Sequence, residues 1–227
     1  TLFYMYPVLV MMALAGLGIY AFLLPREISG QALGFITTVP WGGVALLGVL
    51  VLMTNLTTVS STSISREGRL FGLSLSIPVE GRVQAKAKLW LHMILYGAAF
   101  LIDCAIAIVL FKVAPVSLVY YLPAGLAFQV VGFSAGMFLD LKRPMLKWTH
   151  PQQAMKNNSN ALGAMGGTAA ILIVVGGPSA FAISRGASPF VVGCVVAVVA
   201  VALAAVLLPR LLAFADRQYA GGLEMDA

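Results

Sequence analysis

Apolar residues along this chain come in long runs separated by short polar stretches. A helix needs about 20 mainly apolar residues to cross a bilayer. Six runs reach that length, roughly 3–24, 33–58, 89–111, 116–139, 161–183 and 188–214. A strand of a membrane barrel would be about 10 residues long and would alternate, and these runs do neither. The pattern predicts an all-α fold with six membrane-spanning helices in one domain, 1–227. Pro25-Arg26-Glu27 ends the first run and Pro40 lies near the start of the second. The second run ends in TNLTTVSSTS, polar enough to project beyond lipid or to face protein.

Composition agrees with the pattern. Of 227 residues, 60% are hydrophobic and 10% charged, and the mean hydropathy is +0.97. A soluble domain carries about 25% charged residues, so this chain lacks the polar surface to cover a water-soluble globule and reads as an integral membrane protein. The formal charge of +6 does not point to nucleic acid, because the bases lie at the ends of apolar runs and no aromatic–basic interleaving occurs. They suit orientation in the bilayer and contact with anionic lipid. Arg26, Lys112 and Arg185 lie in the short connections. The other eleven bases lie in segments 60–88 and 140–160 and near the C-terminus. The positive-inside rule puts those segments and both termini in the cytoplasm. Cys104 and Cys194 fall inside apolar runs and read as free buried thiols. His92 and His150 are far apart and have no neighbouring metal ligands.

The two cytoplasmic segments hold the most specific signals. Ser65 is placed to cap a short helix beginning Arg66-Glu67, with Glu67 on the favourable end of the dipole. Leu70, Phe71, Leu73 and Leu75 supply its apolar side, Gly68 and Gly72 limit its length, and Pro78 suits the first turn of the next helix. In the second segment Pro144 stops the fourth span. Thr149 and Gln152 have capping-box spacing with Pro151 in the first turn, which predicts a helix from near His150 running on into the fifth span. Trp148 fits an interfacial anchor. Gly132-xxx-Gly136 and Gly163-xxx-Gly167 have the spacing that lets helices approach closely. A purely electrostatic lipid anchor would need neither Glu67, Glu80 and Asp140 among the bases nor so many Gly and Pro positions.

These residues carry a resemblance. Ser65-Arg66-Glu67-Gly68, Leu75-Ser76-Ile77-Pro78-Val79 and Ala85-Lys86 resemble the "SREG … LPI … AK" pattern of one group of bacterial ABC-exporter permeases. Asp140-Leu141, Pro144, Leu146, Trp148-Thr149, Pro151-Gln152, Ala154, Lys156 and Asn158 are similar to that group's "DlxxPxLxWtnPqxAxKxN" segment. Ser76 and His150 depart from it, standing where Leu and Asn are expected. Members of the group are about twice as long, so the chain, which begins with Thr1, resembles the C-terminal half of one and is expected to be part of a longer permease. The resemblance implies a multi-pass subunit of the bacterial cytoplasmic membrane. Its partners would be an ATP-binding-cassette ATPase subunit, the other half of the permease and membrane lipids. Residues 65–78 would be a coupling helix. Its apolar side chains, Phe71 and Leu75 among them, would fill a groove on the ATPase, with Arg66, Glu67 and Arg69 paired at the rim and Gly68 and Pro78 shaping the path. ATP and magnesium would bind the partner, and this chain would hold no cofactor. No Gly-Lys pair occurs, so a phosphate-binding P-loop cannot form.

Inside the membrane Asp103 is the one acid well within an apolar run, and a carboxylate there is costly enough to be a default site hypothesis. It would bind a cation, relay a proton or touch substrate, or be a hydrogen-bonded structural group. Thr54, Asn55, Thr57 and Thr58 would face a cavity or hydrogen-bond between helices. Catalysis finds little support: no His-Glu-x-x-His occurs and no acids pair at one depth. The alternatives to a permease subunit are a small substrate-binding membrane subunit or ion-coupled carrier that uses Asp103, and a non-transporting scaffold.

Overall fold

The computed structural model describes residues 38–55, 59–109, 111–150, 153–156 and 158–221, with backbone alone at 155–156. The expected first span, the start of the second, Thr57, Thr58 and Pro151 lie outside these residues. The described residues are helical and contain no strand. Helix α1 is Gly42–Asn55. A tight 3-10 turn, Ser65–Leu70, leads into the short α2, Phe71–Ser76. Helix α3, Gly81–His92, continues through a wide π-turn, Met93–Gly97, into α4, Ala98–Val109. Helices α5 (Leu118–Lys142), α6 (Gln153–Lys156), α7 (Ser159–Ser184) and α8 (Pro189–Ala220) follow.

Four helices are long and apolar enough to cross a membrane: Gly81–Val109, Pro115–Lys142, Ser159–Ser184 and Pro189–Ala220. They correspond to the expected third to sixth spans. The third begins two turns earlier than expected, because Gln84, Ala85, Lys86, Ala87 and Lys88 are good helix formers and extend it past the lipid. Helix α8 has 32 residues, about 48 Å at 1.5 Å per residue, against a hydrocarbon thickness of about 30 Å. It is therefore longer than a single crossing requires.

Helix α5 is the centre of the bundle. Over half of its apolar stretch is buried, whereas α7 and α8 turn most of theirs outward. Two apolar cores form along it. One joins Leu47, Leu50 and Val51 of α1, Phe100 and Cys104 of α4, Tyr121 and Phe128 of α5 and Ala200 of α8. The other lies at the end the charge pattern assigns to the cytoplasm. It joins Ile64, Phe71, Ala85, Phe133, Met137, Leu141, Leu211 and Ala215, so the last turns of α8 seat the short helix α2.

Three local expectations are corrected. Ser65 is not an N-cap: the residue at that position is Ile64, with no side-chain cap. Pro78 does not start a helix; it lies in an exposed bend, and α3 begins at Gly81 after Glu80. The helix expected from His150 into the fifth span is broken. Thr149 bonds Gln153 Oε1 through its N–H (3.0 Å) and hydroxyl (3.2 Å), and α6 ends at Lys156. Asn158 is extended and caps α7 by accepting the Asn160 N–H at 2.9 Å.

Candidate functional site

The two polar motifs, some 75 residues apart in sequence, form one hydrogen-bonded knot. Asp140, at the end of α5, is fully buried. Its Oδ2 accepts the backbone N–H of Ile64 (2.6 Å) and of Ser65 (3.0 Å). Its Oδ1 accepts the Ser65 hydroxyl and Asn160 Nδ2, the latter at 3.3 Å. No cation pairs with it among the described residues. Four donors replace water instead, which a buried carboxylate requires. Asp140 thus takes over the capping role that Ser65 would fill alone. Ser65 Oγ, having donated to Asp140, accepts Met145 N–H at 2.8 Å and Asn158 Nδ2 at 3.0 Å. A hydroxyl has one donor and two acceptor positions, and all three are used. Trp148 Nε1 donates to the Ser65 carbonyl at 2.8 Å, and Asn160 Nδ2 reaches the Arg143 carbonyl at 2.8 Å.

Gly68 is required twice over. Its φ of +53° lies in the left-handed region that favours glycine. A Cβ there would lie 2.6 Å from Cζ2 of Trp148. Pro144 ends α5 as expected, since the residue before a proline is driven out of the helical region.

The knot divides the side chains of the 65–78 stretch differently from expectation. Phe71 faces inward, edge-on to Tyr219 with ring centroids 5.6 Å apart, and Leu75 packs half-buried on the same core. Arg66 also turns in, bonding the carbonyls of Thr62 (3.2 Å) and Val59 (2.8 Å). Glu67 is held by Lys88 Nζ and by the Ser74 hydroxyl, the latter at 2.7 Å. Phe71, Arg66 and Glu67 therefore do not form a free docking face. Leu70 (64% exposed), Leu73 (63%) and Ile77 (50%) do point outward, with Arg69 exposed beside them. The end of α8 completes the body: Asp216 accepts the Arg82 N–H at 2.7 Å and pairs with its guanidinium at 3.3 Å.

A second polar line crosses the bundle. His92 Nε2 and Gln129 Oε1 lie 3.2 Å apart, and Gln129 Nε2 donates to Thr54 Oγ1. All three side chains are buried. Thr54 thus hydrogen-bonds between helices, one of its two expected roles, and Asn55 bonds back to Val51. Below Gln129, α5 offers Gly132 to Asn55 and Gly136 to Ser60 and Ser61. The Gly132-xxx-Gly136 spacing therefore serves the polar strap after α1. Gln129, Gly132, Gly136 and Asp140 share one face of α5, with a hydrogen-bonding group at each end. Neither Gln129 nor the hub role of Ser65 could be read from local pattern. The signal was the hydroxyl-rich run SSTSIS, whose donors need buried acceptors.

Gly132-Phe133-Ser134-Ala135-Gly136 also spells Gly-x-Ser-x-Gly, the pattern of a nucleophile elbow. That chemistry needs a strand-to-helix turn that exposes the serine. Here the pattern lies mid-helix, and Ser134 Oγ is buried with no hydrogen-bond partner among the described residues. Asp103 is 3% exposed, and its Oδ2 likewise finds no partner among them. Its neighbours Phe100, Cys104 and Ala107 belong to the membrane core. No group of His, Cys, Asp and Glu among the described residues could hold a metal ion.

Taken together, the described residues are all-helical and include several apolar helices compatible with a multi-pass membrane protein. No protein-family model, curated protein or solved structure matches it.

Proposed function

We propose that the chain is the transmembrane subunit of an ATP-driven exporter, with six spans and cytoplasmic termini in a bacterial cytoplasmic membrane. A separate ATP-binding-cassette subunit holds ATP and magnesium. The observation that carries this reading is the rigid mounting of a small exposed element. Leu70, Leu73 and Ile77 project from a turn and helix that Asp140 ties to α5, Asn158 ties to α7 and the packing of Phe71 on Tyr219 seats against α8. A partner that pushes on such an element displaces three helices together, which is what alternating access needs. The resemblance of both motifs to ABC-exporter permeases supports the same assignment.

The test is affinity purification of the longest native chain in mild detergent, with ATPase activity assayed in the eluate. Leu70→Asp/Leu73→Asp is the comparison, because these side chains are exposed and Phe71 is not. A nucleotide-binding subunit that comes down with the native chain and is lost from the correctly inserted variant supports the reading. No ATPase with either chain refutes it.

Asp103 favours a second reading. A buried carboxylate oxygen without a partner among the described residues suits an ion-coupled carrier or a substrate-binding subunit. Proton-coupled uptake abolished by Asp103→Asn, in a chain that brings down no ATPase, would establish it.

A further inference from the structure

Helices α5 and α8 run side by side. Tyr120 meets Phe190 near their starts, with ring centroids 5.9 Å apart, and Phe138 meets Phe214 near their ends at 4.4 Å. Phe214 packs on the second apolar core, whereas Phe138 is 38% exposed, so this end pair opens outward from the bundle. Three bases stand one turn from it. Lys142 follows Phe138 on α5, and Arg210 and Arg217 flank Phe214 on α8. At about 100° per residue, Lys142 is about 40° around the helix from Phe138, and Arg210 and Arg217 are within about 60° of Phe214. The acids of the same turns, Asp140 and Asp216, lie about 160° away, one inside the knot and the other paired with Arg82. Lys142, Arg210 and Arg217 are exposed and form no ion pair with the described residues. Arg217 is steadied along α8 by its Nε, which donates to the Ala213 carbonyl at 3.3 Å. Helix lengths set the depth of this patch. Residues 189–209 of α8 carry no charge and span about 31 Å, close to a hydrocarbon thickness of about 30 Å. Residues 118–139 of α5 are likewise uncharged and span about 33 Å. In a bilayer both stretches end together, with Arg210 and Lys142 at one headgroup boundary.

We infer that the seam between the ends of α5 and α8 is a binding site for one anionic phospholipid. Lys142, Arg210 and Arg217 hold its headgroup phosphate, and the start of an acyl chain covers Phe138 and Phe214. The inference needs only that these helices lie in a bilayer and does not depend on the exporter reading. Guanidinium groups match phosphate oxygens in shape as well as charge, and long basic side chains lay their stems along apolar surface while the charge stays in the headgroup layer. Basic pockets between membrane helices at this level are suited to anionic headgroups. The seam differs from a general basic fringe in two ways. Its bases come from two helices held in register by one ring pair, and both neighbouring acids are turned to the opposite faces.

The test is native mass spectrometry of the full chain, delipidated in a neutral detergent and titrated with phosphatidylglycerol or with phosphatidylcholine of the same acyl chains. The first phosphatidylglycerol should bind about tenfold more tightly than phosphatidylcholine. Lys142→Gln/Arg217→Gln, which takes one base from each helix, should abolish that preference. Arg69→Gln/Lys147→Gln removes the same charge from exposed positions off the seam and should keep it, as should Lys142→Arg/Arg217→Lys. Phe138→Ala/Phe214→Ala should weaken both lipids, because the chain contact is lost. Excess inorganic phosphate should not displace the bound lipid. The inference is overturned if the native chain binds both lipids equally or if Lys142→Gln/Arg217→Gln binds like the native chain. It is equally overturned if the off-seam pair loses as much as the seam pair, because the attraction is then diffuse, or if inorganic phosphate competes, because the site then takes a free anion.

Discussion

Replacing Asp140 with alanine removes the acceptor for four hydrogen bonds at once. The losses are unequal. Asn160 Nδ2 keeps the Arg143 carbonyl, and the Ser65 hydroxyl can rotate. The N–H groups of Ile64 and Ser65 have no such freedom, and both residues are fully buried. An orphaned buried donor costs about 1–3 kcal/mol, so the two together cost about 2–6 kcal/mol. Since about 1.4 kcal/mol is a factor of ten, amides of residues 64–68 should exchange with deuterium at least about 30-fold faster than in the native chain. Asp140→Asn keeps one oxygen that can accept both backbone donors and loses only the second oxygen's bonds. It should cost about 1 kcal/mol and speed exchange by less than about tenfold. The assay is peptide-resolved exchange of the detergent-solubilised protein, with α7 peptides as the reference for global opening. If Asp140→Ala leaves exchange at 64–68 unchanged, or Asn is as damaging as Ala, the carboxylate does not hold the turn and the knot has been misread.

Gly68→Ala meets both a left-handed backbone and the Trp148 ring, so it should destabilise the protein by about 1–3 kcal/mol. In thermal melts Trp148→Ala should relieve part of that loss, giving a non-additive cycle. Gln129→Leu strands His92 Nε2 while Thr54 keeps its bonds to the Leu50 and Val51 carbonyls. A cost of about 1–3 kcal/mol should appear as earlier thermal labelling of the buried Cys104 by a thiol-reactive dye. Glu67 and Lys88 are about one-fifth exposed, so the double-mutant cycle of Glu67→Gln and Lys88→Met should give a coupling of about 0.5–1 kcal/mol that shrinks in high salt.

The architecture was legible in the chain because the bilayer imposes a length on apolar runs. The third to sixth runs appear as long helices, although the third begins two turns before and the sixth ends beyond the expected residues, and Pro144 stops α5 as its backbone chemistry requires. The turns between the long helices were less legible. Ser65 has every local mark of an N-cap, yet its hydroxyl is taken by Asp140 from another helix, and the expected cap at Thr149 gives way to one at Asn158. Capping rules describe what a side chain can do for its own helix. They do not know which acceptor arrives from elsewhere.

Hydropathy alone therefore determined that this chain is helical and membrane-compatible, and the spread of its bases suggested which end is cytoplasmic. Tertiary structure decided which polar residues are partners and which charges remain free. Helix formation is a local matter of spacing and backbone satisfaction. Pairing Ser65 with Asp140, His92 with Gln129 and Gly68 with Trp148 depends on how α1, α3, α5 and α7 pack. The same packing turned Phe71 inward and left Leu70, Leu73 and Ile77 outside. Side chains on one short turn and helix differ only by the rotation at which they meet α8, and no local pattern records that rotation.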